Sequence, residues 1–119
     1  MTDIVELGEN LYEGTTQNWE EVVIKSEIPV IVDFWAEWCM PCRMMSPVFK
    51  ETAPEYKDKV KFIKLNSDEN RDISMRYGVM SIPTLGIFVN GEPIDGVVGT
   101  VPKSTLKSKL DAVLQKIKE

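Results

Sequence analysis

The chain has 119 residues, a formal net charge of −5 at pH 7 and a pI near 4.8; this length suits one domain spanning 1–119 with a buried core of its own. Apolar residues make up 43% and charged residues 28%, which is a globular rather than a disordered balance, and the absence of a basic stripe argues against a nucleic-acid partner. With no histidine and only two cysteines, Ser–His and Cys–His pairs are excluded and half of a closed zinc set is missing, so no metal site is expected.

The acidic opening MTDIVELGEN has no basic segment leading into an apolar stretch and does not read as a secretory signal. Ile4–Leu7 is a candidate strand, and Asn10–Thr16, polar and flanked by glycine, reads as loop. Asn18 is placed to cap a short helix carrying Trp19, Val22 and Val23, which Pro29 ends. Val30–Trp35 is a β-branched and aromatic run, a strand buried on both faces. The apolar run from Pro29 to Trp38 is the longest in the chain; Asp33 and Glu37 interrupt it, and it is far too short to span a bilayer. The expectation is a cytoplasmic protein with no membrane partner.

Pro41 to about Tyr56 reads as a helix, with Met44, Met45, Val48 and Phe49 at three-to-four spacing and Pro47 placed to kink it. Val60–Leu65 is a second buried strand. Asn70–Tyr77 is a short helix stopped by Gly78. Thr84–Val89 and Ile94–Val98 flank Asn90-Gly91, a strong hairpin signal. Pro102 suits the first turn of a last helix, whose apolar stripe is Leu106, Leu110, Val113, Leu114 and Ile117. Helices alternating with strands, followed by a hairpin, imply an α/β mixed sheet with helices on both faces.

Both cysteines lie in Trp38-Cys39-Met40-Pro41-Cys42, where a buried strand passes into a helix. Helical i,i+3 spacing leaves Cβ atoms roughly 5–6 Å apart, whereas a disulfide needs about 3.8 Å. The pair closes only if Cys39 occupies the half-outside position at the helix start, so closure is feasible without being locked. That position also offers free N–H groups and a positive partial charge to a thiolate. Lowering a thiol pKa from ~8.5 to ~7 takes about 2 kcal/mol and raises the thiolate fraction at pH 7 from roughly 3% to half. Cys42, one turn inside, should be the more buried. Incidental core cysteines, or half of a metal site, are the bland alternatives.

Asp33 interrupts an apolar strand six residues before Cys39. If both faces of that strand are covered, its carboxyl is buried and its pKa rises; there it is a candidate acceptor for the Cys42 proton. Lys64 interrupts a neighbouring strand and is its candidate partner. Two solvent-facing strand residues are the alternative.

The run Val32-Asp33-Phe34-Trp35-Ala36-Glu37-Trp38-Cys39-Met40-Pro41-Cys42-Arg43 resembles the thioredoxin family. Pro47, Lys64-Leu65-Asn66, Ser81-Ile82-Pro83-Thr84, Asn90-Gly91 and Gly99 agree with it, and the resemblance covers nearly the whole chain. It implies the thioredoxin fold, a three-layer α/β/α arrangement with a mixed five-stranded sheet in order 1-3-2-4-5 and four helices. It also implies a cis Ile82–Pro83 bond facing the disulfide. The implied roles are Cys39 as attacking thiolate, Cys42 as resolving thiol and Asp33 as buried acid/base. Met40, Pro41 and Lys64 tune the redox balance. Trp38, Ile82, Pro83 and Gly99 form an apolar surface for an extended substrate segment. Met40 departs from the usual glycine of the family, and Ser81 from a frequent one.

The activity so implied is reduction of protein disulfides by dithiol–disulfide exchange. No bound cofactor is implied. The implied partners are disulfide-containing proteins and a thioredoxin reductase, with the chain acting as a monomer. A disulfide oxidase or isomerase of the same fold, and a thioredoxin-like binding module, are the rival readings. The presence of both cysteines and Asp33 argues against the binding module.

Overall fold

The computed structural model describes residues 4–118. At its centre lie the two apolar runs picked out by their β-branched and aromatic content. Val30–Trp35 is strand β3 and Lys61–Asn66 is strand β4, paired in parallel from Val30↔Lys61 to Trp35↔Asn66. On the other side of β3, strand β5 (Thr84–Val89) runs antiparallel, and strand β6 (Glu92–Val98) folds back on it. Asn90 at φ 53° and Gly91 at φ 79° make the reversal between them. Both are left-handed, as a two-residue hairpin turn that matches strand twist requires.

The N-terminal part differs from the sequence expectation. Leu11–Gly14, read as loop, is strand β2, parallel to β4 with Leu11 opposite Phe62. The candidate strand at Ile4–Leu7 is displaced to Glu6–Gly8, strand β1, an edge strand antiparallel to β2. The sheet therefore has six strands in order β1-β2-β4-β3-β5-β6. The five from β2 onward give the expected 1-3-2-4-5 order, with β1 added outside. Gly14 explains part of the misreading: a Cβ there would stand 2.5 Å from Ile63 Cγ2, so the glycine permits close strand approach rather than marking a loop.

Side chains alternate along β3, and each set meets its own helical layer. Ile31 faces Met45, Phe49, Leu106 and Leu110, from helix α1 (Met40–Thr52) and helix α3 (Lys103–Ile117). Val30, Val32 and Phe34 face Trp19, Val22, Val23 and Ile73, from a π-helical turn at Glu20–Ile24 and helix α2 (Arg71–Arg76). These make the four helices, and a 3-10 turn at Ala53–Tyr56 extends α1. The helical assignment of α1 runs through Pro47.

Three local expectations change. Asn18 does not cap the π-helical turn; its side chain accepts from Thr15 N–H at 2.7 Å and donates to the Glu13 carbonyl at 3.0 Å, fixing the preceding turn instead. Pro102 stands one position earlier than expected, as the N-cap of α3 with ψ 159°. Met44 faces outward while Met45 is in the core.

Candidate active site

Strand β3 delivers the chain to Ala36, and Cys39 ends the turn that follows as the N-cap of α1, with φ −90° and ψ 107°. Its N–H donates to the Ala36 carbonyl and its carbonyl accepts from Arg43 N–H, both at 3.2 Å. This is the half-outside position that closure demanded. The two Cα atoms lie 5.2 Å apart and the Cys39–Cys42 disulfide is formed. Pro41 falls in the first helical turn, where its missing N–H has no intrahelical partner to lose. Cys42 N–H donates to Cys39 Sγ at 3.2 Å, so a backbone donor at the helix start is aimed at that sulfur.

Both sulfurs are shielded, Cys39 at 4% exposure and Cys42 at 1%, in a small cluster with Ala36 backed by Trp35 and Ile82. The Ile82–Pro83 peptide is cis, and Cys39 Sγ lies 3.7 Å from the Ile82 carbonyl oxygen. Pro83 itself is buried. Its carbonyl accepts from Gly99 N–H at 2.8 Å, and Gly99 has φ +96°. Trp38 is 72% exposed, with Nε1 donating to Asp68 Oδ2 at 2.8 Å. Met40 at 64% and Met80 at 94% leave further apolar surface beside the disulfide loop and the Ile82–Pro83 loop.

Behind the disulfide, Asp33 shares the α1 face of β3 with Ile31 and Trp35. It is completely buried, and neither carboxylate oxygen has a hydrogen-bond partner among the described residues. Burial pushes its pKa up from 3.8 to about 7, against the pull of the Lys64 ammonium. Lys64 is its register partner across the parallel ladder. The ammonium, however, donates to Ser46 Oγ at 2.7 Å and sits 4.4 Å above the Trp35 ring. Burial lowers the Lys64 pKa, and Asp33 and Glu37 oppose that shift. Trp35, Cys42, Arg43, Ser46, Lys50 and Lys64 line a groove of about 480 Å³ here.

Of the site residues expected from sequence, Cys39, Cys42, Met40, Pro41, Trp38 and Ile82 gather at the disulfide, Pro83 follows Ile82 and is hydrogen-bonded to Gly99, and Asp33 and Lys64 are register partners in the sheet. Ser46, Trp35 and Asp68 were not singled out. The helical i+4 spacing from Cys42 was available as a signal for Ser46; Asp68 carried none. Among the described residues no group of three or more acidic or cysteine side chains is placed to hold a metal ion.

A cysteine pair bridging the first turn of a helix, against a cis-proline loop and above a buried acid, defines a dithiol–disulfide exchange centre. The chain belongs to the thioredoxin family, whose sequence profile matches residues 10–112. It is 53% identical over 97 residues to thioredoxin 1 of Synechococcus elongatus, covering 82% of this chain and 91% of that protein. Thioredoxin of Synechocystis sp. is 54% identical over the same length and coverage. An M-type chloroplastic thioredoxin of Pisum sativum is 53% identical over 94 residues, 79% of this chain and 55% of the pea protein. Thioredoxins are protein-disulfide oxidoreductases, and this chain reduces protein disulfides by exchange through its Cys39–Cys42 pair. Its partners are disulfide-containing proteins and a thioredoxin reductase. No helix among the described residues is long and apolar enough to cross a membrane.

Proposed function

We propose that Cys39 is the attacking nucleophile, Cys42 the resolving thiol and Asp33 the group that accepts the Cys42 proton. The Cys39 thiolate attacks one sulfur of a substrate disulfide; the other substrate sulfur leaves as thiolate and takes a proton. Asp33 then receives the Cys42 proton, and the Cys42 thiolate attacks Cys39 Sγ. The second substrate sulfur leaves, so the substrate gains two electrons and two protons while Cys39–Cys42 becomes a disulfide. The hydrogen bond from Cys42 N–H to Cys39 Sγ carries the assignment, because it stabilises charge on Cys39 and has no counterpart on Cys42 among the described residues. A carboxyl poised near neutrality matches the proton transfer that resolution needs.

In this reading the exposed Trp38, with Ile82, receives an extended substrate segment on a surface held in shape by Pro83 and Gly99. Met40, Pro41 and Lys64 set the redox balance. The chain works as one domain and a monomer, without a bound cofactor and without nucleic-acid or membrane partners. A reducing compartment such as the cytoplasm suits a pair that must be recharged, and the acidic surface charge suits neither nucleic acid nor an anionic membrane.

Cys42→Ser tests the roles. Mixed disulfides with substrate proteins are expected to accumulate at Cys39, and Cys39→Ser is expected to trap none. Trapping by Cys39→Ser alone would reverse the two assignments.

A further inference from the structure

The buried carboxyl and the nearest ammonium face one another across the sheet, yet they do not pair. Asp33 and Lys64 are directly opposite in the β3–β4 ladder, on the same face. The Lys64 ammonium ends instead at Ser46 on α1 and over the Trp35 ring. Among the described residues no ion pair joins Lys64 to Asp33, both Asp33 oxygens lack a protein partner, and Nζ is fixed by the Ser46 hydroxyl at 2.7 Å and the Trp35 ring face at 4.4 Å. Ser46 lies four residues after Cys42 in α1, so it is on the same helix face, one turn farther along.

We propose that Ser46 is a positioning residue: with the Trp35 ring it holds the Lys64 ammonium off the Asp33 carboxyl, and thereby sets the pH at which that carboxyl exchanges its proton. This rests on the role given to Asp33 above and adds the device that tunes it. The charged groups around the site are few. Strand β4 contributes Lys64; α1 contributes Arg43 and Lys50 at the groove rim, with Cys42 in the disulfide; the turn after β3 contributes Glu37; and β5 places apolar Leu85 opposite Asp33. Lys64 is the one that pulls on Asp33. Burial is the larger influence on the carboxyl and Lys64 the charge that opposes it. An opposite charge brought to within ~4–6 Å typically lowers a carboxyl pKa by about 1–3 units, so a small hydroxyl that denies the lysine this approach has a large lever.

The oxidised protein is the form to measure, because its cysteines do not titrate and the Asp33 carboxyl is read alone by carbon NMR of labelled aspartate. Ser46→Ala is expected to lower the Asp33 midpoint by roughly one pH unit; alanine favours the helix, so folding is not at issue. Ser46→Thr restores the hydroxyl and is expected to restore the midpoint. Lys64→Met is expected to raise it, and Ser46→Ala added to Lys64→Met should change nothing further, since the hydroxyl acts only through the ammonium. An unchanged or raised midpoint in Ser46→Ala overturns the proposal, as does a Ser46→Ala shift that persists undiminished beside Lys64→Met. The pH profile of mixed-disulfide resolution separates the two readings. A midpoint that moves by NMR while the kinetic profile stays put retains Ser46 as the positioning residue and removes Asp33 as the proton acceptor.

Discussion

The two faces of strand β3 are built to different ends. One presents Val30, Val32 and Phe34 to a cluster in which Trp19 meets Phe88 edge-on at 5.4 Å and Tyr77 at 5.4 Å, with Trp19 Nε1 donating to the Tyr77 hydroxyl at 3.0 Å. Its aromatic polar groups are thus satisfied, as is the half-buried Lys61 ammonium at its edge, which donates to the Val22 carbonyl at 3.0 Å. The other face starts in the same manner with Ile31 against Phe49 and Leu110, then turns to Asp33 and Trp35 under the disulfide. On this second face two residues along the strand separate Ile31, which packs, from Asp33, a buried carboxyl that costs stability. A buried carboxyl without hydrogen bonds is the cost expected if Asp33 has the proton-accepting role proposed above.

This contrast can be broken or sharpened at three positions. Phe88→Ala on the apolar face should have the largest effect, a loss of about 3–5 kcal/mol, the same between about pH 5 and 8 because nothing that titrates is touched. Urea unfolding across that range checks it, and turnover per folded molecule should be unaffected. Asp33→Asn should act in the opposite sense. The native carboxyl titrates at about 7 against 3.8 for the free group, so the native state holds its proton where the unfolded chain has lost it. Wild-type stability therefore falls as pH rises from about 4 to 7 and is level above that, the difference being on the order of 4 kcal/mol. The asparagine variant should be more stable than wild type by about that much at pH 8, and the advantage should vanish toward pH 4. Relative to wild type, its second, resolving step should be slowed more than its first in stopped-flow measurements. A pH-independent gain would show that the carboxyl is not what the fold is carrying. Met40→Gly, at the exposed rim, should move least: under about 1 kcal/mol in stability and about 30 mV in redox balance. Equilibration against glutathione and reductase kinetics would read it.

How much of this was legible in the sequence depended on whether the signal was local. Val30–Trp35 and Thr84–Val89 stand where their composition placed them, because β-branched and aromatic runs buried on two faces have few other uses. Cys39 at the helix start followed from the reach of a disulfide. Leu11–Gly14 escaped because four residues ending in glycine gain strand character only by pairing with β4, and Leu11's partner Phe62 lies far along the chain. Asn10 escaped likewise: its Nδ2 donates to the carbonyls of Ala53 and Val60, both at 2.8 Å, across 43 and 50 residues. The cis Ile82–Pro83 bond was reached only through family resemblance. Asp33 and Lys64 were both flagged, but the detour of the ammonium to Ser46 depended on a helix laid over the strand, and no linear pattern carries that.

The sheet order also bears on how the chain fares during synthesis. β1 and β2 form a hairpin, but β2 and β3 both await β4, and β3 also awaits β5. At about 5–20 residues per second, the stretch from Cys42 to the end of β4 takes on the order of seconds to emerge after the second thiol. For that interval the nascent chain carries two reactive sulfurs with no sheet to shelter them. Because residues 1–119 hold only those two cysteines, any disulfide that closes within this stretch is the native one.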